Sequence, residues 1–172
     1  MRERLSTVDV DIAKVTVTKT LIFDGAGKML ALRRSPSLRP DRPDHRGKLS
    51  LPGGEVNLAE ESIDGGAIRE IREETGLDLT PDDLQSCYGE RRVVRRDFVP
   101  LRIEWFGYIA LMPPGQTIRL DPDEHDAEYW LTTDEFLAKT DHPGHHRFIA
   151  HVREVGIAPE LWGIDIASAA ML

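Results

Sequence analysis

Three carboxylates, Glu70, Glu73 and Glu74, stand at i, i+3 and i+4 a short distance behind a glycine-rich stretch, Leu51-Pro52-Gly53-Gly54. An α-helix turns about 100° per residue, so the three share one face within a single turn. Like charges at that spacing cost a helix about 0.2–0.5 kcal/mol per pair, and helix propensity gives no reason to stack them. A bound cation removes the penalty. Hard cations such as Mg²⁺ take oxygen ligands, commonly one or two protein carboxylates, with water and substrate phosphate oxygens completing the shell. Taken alone, an acidic helix face is more often plain solvated surface, so the weight rests on what surrounds these residues.

The surroundings are those of a helix with both ends marked. Ser62 suits an N-cap, and Gly76, just past the last glutamate, suits the left-handed C′ position, with Leu77 making the hydrophobic contact that accompanies such a stop. Ala67, Ile68 and Ile71 lie on the flank beside the acidic face and can seat the helix against a sheet. Gly65 and Gly66 weaken the first turns by about 1 kcal/mol each relative to alanine, so tertiary packing must complete the helix.

Residues 69–77, Arg-Glu-Ile-Arg-Glu-Glu-Thr-Gly-Leu, with the preceding glycines, resemble the Nudix box: Gly, five residues, Glu, seven residues, then Arg-Glu-apolar-any-Glu-Glu-any-Gly-apolar. Every specified position of the second half is matched, and Leu51-Pro52-Gly53-Gly54 matches the usual lead-in. One residue is extra. Aligning Glu61 keeps seven residues to Arg69 but leaves six after Gly54, whereas Glu60 gives five and then eight. Glu61 is preferred, because it leaves Ser62 as the cap and puts the insertion in the loop 55–60. Leu49 stands where many members carry Trp, a loss of packing and not of a chemical group.

The resemblance implies an α/β protein, a three-layer α/β/α sandwich with a mixed β-sheet, covering about residues 12–155 of a single domain 1–172 with a C-terminal tail 156–172. It implies hydrolysis of a nucleoside diphosphate linked to another moiety, by water attack on phosphorus with Mg²⁺, or Mn²⁺, as cofactor. The metal ligands it implies are Glu70, Glu73, Glu74 and the carbonyl of Gly54. Arg69, about 100° around the helix from Glu70, is better placed to orient a glutamate than to bind metal. In part of the family a loop glutamate six residues before a Trp binds metal or accepts the water's proton. Glu124 stands six before Trp130, so Arg69, Glu70, Glu73 and Glu124 form the expected catalytic set, with Glu70 or Glu73 as the fallback base.

Substrate contacts are expected from Arg34, Arg46 and Phe106. Arg46 belongs to the loop 35–48, which carries three prolines and also Arg39 and Arg42. Phe106, Tyr108 and Phe98 offer aromatic faces for a base, with core packing as the ordinary fate of each. Arg91, Arg92, Arg95 and Arg96 fall on both faces of one strand, so at most half can point into a cleft. Members that prefer ADP-ribose often carry a proline some fifteen or sixteen residues past the box, and dinucleoside polyphosphate hydrolases a tyrosine nearby. Positions 92 and 93 are Arg and Val. The resemblance then leans toward nucleoside triphosphates or related nucleotides, damaged ones included, over nucleotide sugars. Two other readings stand beside the hydrolase. A nucleotide-sensing module without catalysis usually shows decay of the acidic residues, and an allylic diphosphate isomerase needs a cysteine and glutamate outside the box.

Length and composition agree with one globular domain. The 172 residues are 40% hydrophobic and 30% charged, enough to bury a sizeable core. The net charge of −8 argues against a nucleic-acid polymer as partner. The single Cys87 cannot form an internal disulfide and reads as a small core residue. Residues 1–14 lack the apolar stretch of a secretory signal, no segment is apolar enough to span a bilayer, and a cytoplasmic location without membrane partners is the expectation. His142, His145, His146 and His151 fit no zinc-ligand spacing and read as surface or capping residues.

The remaining pattern predicts a hairpin through Val15–Phe23 and Met29–Leu32, and a second, long hairpin from residue 85 to Leu111. A short strand is expected over Glu128–Leu131, a helix after the Thr132/Glu135 capping box carrying Phe136 and Leu137, and a last helix over about 146–155. Leu161, Trp162, Ile164 and Ile166 in the tail can pack on the domain or on a second subunit, so a homodimer and a monomer both fit.

Overall fold

The computed structural model describes residues 12–36, 45–96 and 98–157. Arg39, Arg42 and the apolar tail residues Leu161, Trp162, Ile164 and Ile166 lie outside them. Strand β1 (Ala13–Phe23) leads through the turn at Asp24 into β2 (Met29–Arg34). The Asp24 carboxylate accepts the N–H groups of Ala26 and Lys28, which fixes the turn locally. Two short strands, β3 (Leu49–Ser50) and β4 (Glu55–Val56), flank the glycine stretch before helix α1 (Ile63–Thr75). A single 3-10 turn at Pro81–Asp83 precedes the long hairpin of β5 (Gln85–Arg96) and β6 (Val99–Leu111). The chain then forms β7 (His125–Leu131), α2 (Thr133–Leu137) and α3 (Pro143–Glu154).

Among the described residues the sheet has seven strands, in the order β3-β2-β1-β6-β5, with β4 paired to β1 and β7 to β2. It is mixed, as expected: β1 and β6 run parallel from Ala13↔Leu101 to Phe23↔Leu111, and the other pairs are antiparallel. Successive strand residues face opposite sides, so each side has its own core. On one side Ile22, Leu30 and Leu32 meet Ile71 of α1, with Leu77 and Ala110. On the other Leu21, Phe23, Met29 and Ile109 meet Phe136 of α2 and Phe148, Ile149 and Val152 of α3. Each of these Leu, Ile, Val, Met and Phe side chains, removed from water, contributes about 1.5–3 kcal/mol. Helices on both faces make the three layers.

Both ends of α1 follow their residue types. Ser62 Oγ accepts the Gly65 N–H at 3.0 Å, and Gly76, at φ 70°, donates its N–H to the Arg72 carbonyl at 2.8 Å. The Thr132/Glu135 capping box is present at α2. Two boundaries differ from expectation by three residues. Strand β7 starts at His125, three residues early, because its acidic opening pairs along β2 up to Arg34↔His125. Helix α3 starts at Pro143, because proline needs no N–H partner at a first helical position and His142 caps it, Nδ1 accepting from Gly144 N–H at 3.2 Å. Among the described residues no helix is long and apolar enough to cross a membrane.

Candidate functional site

Along β1 the antiparallel neighbour changes. Thr16 and Val17 pair with β4, Phe23 pairs with β2, and the glycine stretch fills the interval. There Thr18 N–H donates to the Gly54 carbonyl and Thr20 N–H to the Pro52 carbonyl, each at 2.9 Å. Gly53 sits at φ 119°, and a Cβ on it would lie 2.4 Å from the Thr18 carbonyl oxygen, so only glycine fits. A Cβ on Gly54 would lie 2.1 Å from Glu70 Oε2. The two glycines bring backbone against strand on one side and against a carboxylate on the other.

The three glutamates are not equivalent. With Glu70 as origin and about 100° per residue, the buried stripe of Ala67 and Ile71 lies near 60° and 100°, Glu74 near 40° and Glu73 near −60°. Exposure follows that order: the Glu74, Glu70 and Glu73 side chains are 5%, 16% and 58% exposed. Glu74 Oε2 accepts the Gly53 N–H at 2.7 Å, and burial pushes its carboxyl up to about 7, against the pull of the Lys19 charge. Burial also raises Glu70, opposed by Arg69.

Arg69 gathers the acidic side chains around itself. Its Nε and Nη2 hold both Glu61 oxygens at 3.0 and 2.8 Å, and Nη1 reaches Glu70 Oε1 at 2.8 Å and Glu73 Oε2 at 2.9 Å. The contact with Glu61 supports aligning that residue, and not the exposed Glu60, with the box glutamate.

A cleft of about 950 Å³ collects Glu70, Glu74, Glu124 and Gly54 with the cations Arg34, Lys48, Arg92 and Arg95, and with Trp105, His142 and His145. The Nε of Arg92 is buried there without a hydrogen-bond partner. Glu124 is exposed, in the loop that enters β7. One donor atom from each of Glu74, Glu124 and His125 lies within 4.8 Å of the others. His125 is 1% exposed, both its ring nitrogens lack hydrogen-bond partners, and its Nε2 is 3.8 Å from Glu74 Oε1. Burial pushes its pKa down to about 3, so at neutral pH the imidazole is uncharged and this contact is no ion pair. The donors present suit a divalent cation, since a buried carboxylate and a buried imidazole both stand short of partners around one point.

Of the residues the sequence singled out, Arg34, Gly54, Glu70, Glu74 and Glu124 meet in the cleft, and four do not. Glu73 is turned to solvent on Arg69. Arg69 itself lines a neighbouring hollow of about 700 Å³ with Glu61. Arg46 is exposed and is not among the lining residues, whereas His45 and Lys48 of the same segment are. Phe106 is on the wrong face: alternation along β6 puts Ile103 and Trp105 in the cleft and turns Phe106 to the α1 side, where Tyr108 O–H donates to Asp64 at 2.6 Å. Phe98 is 96% exposed. Cys87 packs half-buried, its thiol pushed up to about 12 by burial. His145, expected as a surface or capping residue, is buried against Phe136 and Trp105.

Sequence reasoning missed Lys19 and His125. Lys19 is 6% exposed, and its amine donates to the Leu51 carbonyl at 2.9 Å, the Ser50 hydroxyl at 3.4 Å and the Gly53 carbonyl. Burial brings it down to about 8, with Glu74 opposing. A single charge inside the Val15–Phe23 strand was the available signal. His125 had none apart from its place beside Glu124.

Comparison with known proteins agrees with this fold. The zebrafish (Danio rerio) protein m7GpppN-mRNA hydrolase NUDT17 is 32% identical over 142 residues, 74% of this chain and 42% of that protein. A MutT-like protein of Streptomyces ambofaciens is 30% identical over 112 residues, 63% of this chain and 58% of that one. The chain thus spans about half the length of the curated relatives it matches. Among solved structures, the MutT protein from Methanosarcina mazei Go1 superimposes with a TM-score of 0.60 at 25% identity, covering 84% of this chain and 97% of that chain. The family model described as NUDIX domain matches residues 14–152, from β1 through nearly all of α3, and the chain belongs to that family, the Nudix hydrolases.

Proposed function

We propose that the protein is a metal-dependent pyrophosphohydrolase that cleaves a nucleoside diphosphate linked to another group, with a nucleoside triphosphate or related nucleotide as the favoured substrate. The observation that carries this reading is the buried Glu74 carboxyl, raised to about 7 beside Glu70 and Glu124 in a cleft that also holds five cationic side chains, Lys19 among them. Carboxylates grouped in this way around a buried one suit a divalent cation, and the cationic side chains suit phosphates.

Glu70, Glu74, Glu124 and the Gly54 carbonyl would hold Mg²⁺ or Mn²⁺, and the bound ion would neutralise phosphate oxygens and acidify water. Arg69 holds Glu70 by one oxygen and leaves the other against Gly54, fixing the carboxylate's orientation. Glu73 completes the acidic set from the solvent side through the same arginine. Arg34, Lys48, Arg92 and Arg95 neutralise the substrate's phosphates. Water attacks phosphorus, the leaving phosphate oxygen takes the bonding pair, and the proton passes to Glu124.

The test is phosphate and nucleotide release, with Mg²⁺ and with Mn²⁺, from nucleoside triphosphates, oxidised nucleotides, ADP-ribose, nucleotide sugars, dinucleoside polyphosphates and capped dinucleotides of the m7GpppN type, which the relative's name adds. Glu74→Gln and Glu124→Gln are run beside the native chain. Metal-dependent turnover lost in Glu74→Gln supports the reading and names the substrate. Tight nucleotide binding without product under either metal overturns it in favour of a sensor.

A further inference from the structure

We propose that Glu74, Glu124 and His125 form a mixed oxygen and nitrogen cation site, with His125 Nε2 as the nitrogen ligand, that selects a first-row transition-metal ion over Mg²⁺. It rests on the cation-dependent reading above and adds a ligand of a different element to it.

Three observations converge. The donor atoms of the three residues lie within 4.8 Å of one another. The His125 side chain is wholly buried, yet neither of its ring nitrogens has a hydrogen-bond partner, an unusual state for a buried imidazole. Its Nε2 is 3.8 Å from Glu74 Oε1, too far for a hydrogen bond, while Glu74 Oε2 is already occupied by the Gly53 N–H. The free carboxylate oxygen therefore faces a free ring nitrogen. The gap is shorter than the sum of two metal–ligand bonds of about 2.1 Å each, so one ion can touch both. Glu124 approaches from the loop immediately before His125, so a single stretch of backbone supplies two of the three donors.

The nitrogen decides which ion is preferred. Mg²⁺ takes oxygen ligands in strict octahedral geometry, whereas imidazole suits the first-row transition ions.

The test uses Mn²⁺ alone as probe. Pulsed electron paramagnetic resonance on the full chain should show a ¹⁴N coupling that changes to the ¹⁵N pattern when histidine is ¹⁵N-labelled and disappears in His125→Gln. Displacement of Mn²⁺ should require about tenfold less Mg²⁺ in that variant than in the native protein. Should His125→Gln fail to fold, a variant lacking His45, His142 and His145, the other imidazoles of the cleft, should keep the nitrogen coupling. Bound Mn²⁺ with hydrolysis but without nitrogen coupling overturns this inference and leaves the proposed function standing. Loss of the coupling in the triple variant also overturns it. Absence of both Mn²⁺ binding and hydrolysis overturns both.

Discussion

Cation binding should compete with a proton on Glu74. Its carboxyl stands at about 7 in the metal-free protein because burial disfavours the charge. A ligand must be deprotonated, so the apparent affinity follows the ionised fraction, which rises from about 9% at pH 6 to about 91% at pH 8. Affinity for Mn²⁺ should therefore grow roughly tenfold over that range, with about half a proton released per ion at pH 7. Titration calorimetry at pH 6, 7 and 8, in two buffers of different ionisation enthalpy, measures both quantities. The same group makes a stability statement of definite sign. A carboxyl raised above its unfolded value of 4.5 contributes stability that is complete below that value and is lost as pH rises through about 7. The full shift corresponds to about 3 kcal/mol, which should appear as a falling difference in stability between the native protein and Glu74→Gln from pH 5 to pH 8. An affinity constant within twofold from pH 6 to pH 8, or an equal slope in Glu74→Gln, would refute the reasoning.

Three further outcomes are expected. Lys19→Met leaves the Leu51 and Gly53 carbonyls without their donor, and urea unfolding at pH 7 should show a loss of about 2–4 kcal/mol; a loss below about 1 kcal/mol would show that the amine is not what holds the loop. Gly54→Ala drives a methyl group into Glu70 Oε2, and kcat should fall by about 100-fold with a near-native circular dichroism spectrum, since displacement of about 1 Å at a reacting centre costs that much. Arg92→Leu removes a buried, unpartnered donor from the cleft and should raise KM about 10–100-fold at nearly constant kcat, whereas an unchanged KM would place the substrate's phosphates elsewhere.

What the sequence disclosed is what local chemistry decides. Ser62, Gly76 and the Thr132/Glu135 box mark helix ends because capping uses atoms within four residues of one another. The mixed three-layer fold followed from the family pattern and agrees with the structure. The errors are of another kind. Alternation along β6 separates Trp105 from Phe106 correctly, but both faces carry aromatic residues, and only the packing of α1 and α3 decides which face becomes the cleft. Glu73 and Glu74 look alike as letters. Their difference of about 100° around the helix becomes burial against exposure only once Ala67 and Ile71 are seated on the sheet. Pro143 did carry a readable signal, proline at a first helical position, which places the start of α3 three residues ahead of the expected boundary.

Lys19 ties the fold to the chemistry in a way no single motif expresses. It is an amine buried at the place where β1 changes partners, and its donors fix two carbonyls of the glycine stretch that presents Gly54 to Glu70. A lysine depressed from 10.5 to about 8 contributes stability that is present above 10.5 and is lost as pH falls through 8, the opposite course to Glu74. Between pH 7 and 8 the metal-free protein therefore carries both charges at their largest joint cost, offset only by their mutual attraction. That attraction opposes the upward shift of Glu74 and keeps part of it ionised at neutral pH, ready for a cation. An apolar residue at position 19 would leave the Leu51 and Gly53 carbonyls without their donor, and the site would also hold its proton to higher pH. The buried charge therefore serves both, holding the glycine stretch in place and keeping Glu74 partly ionised for a cation.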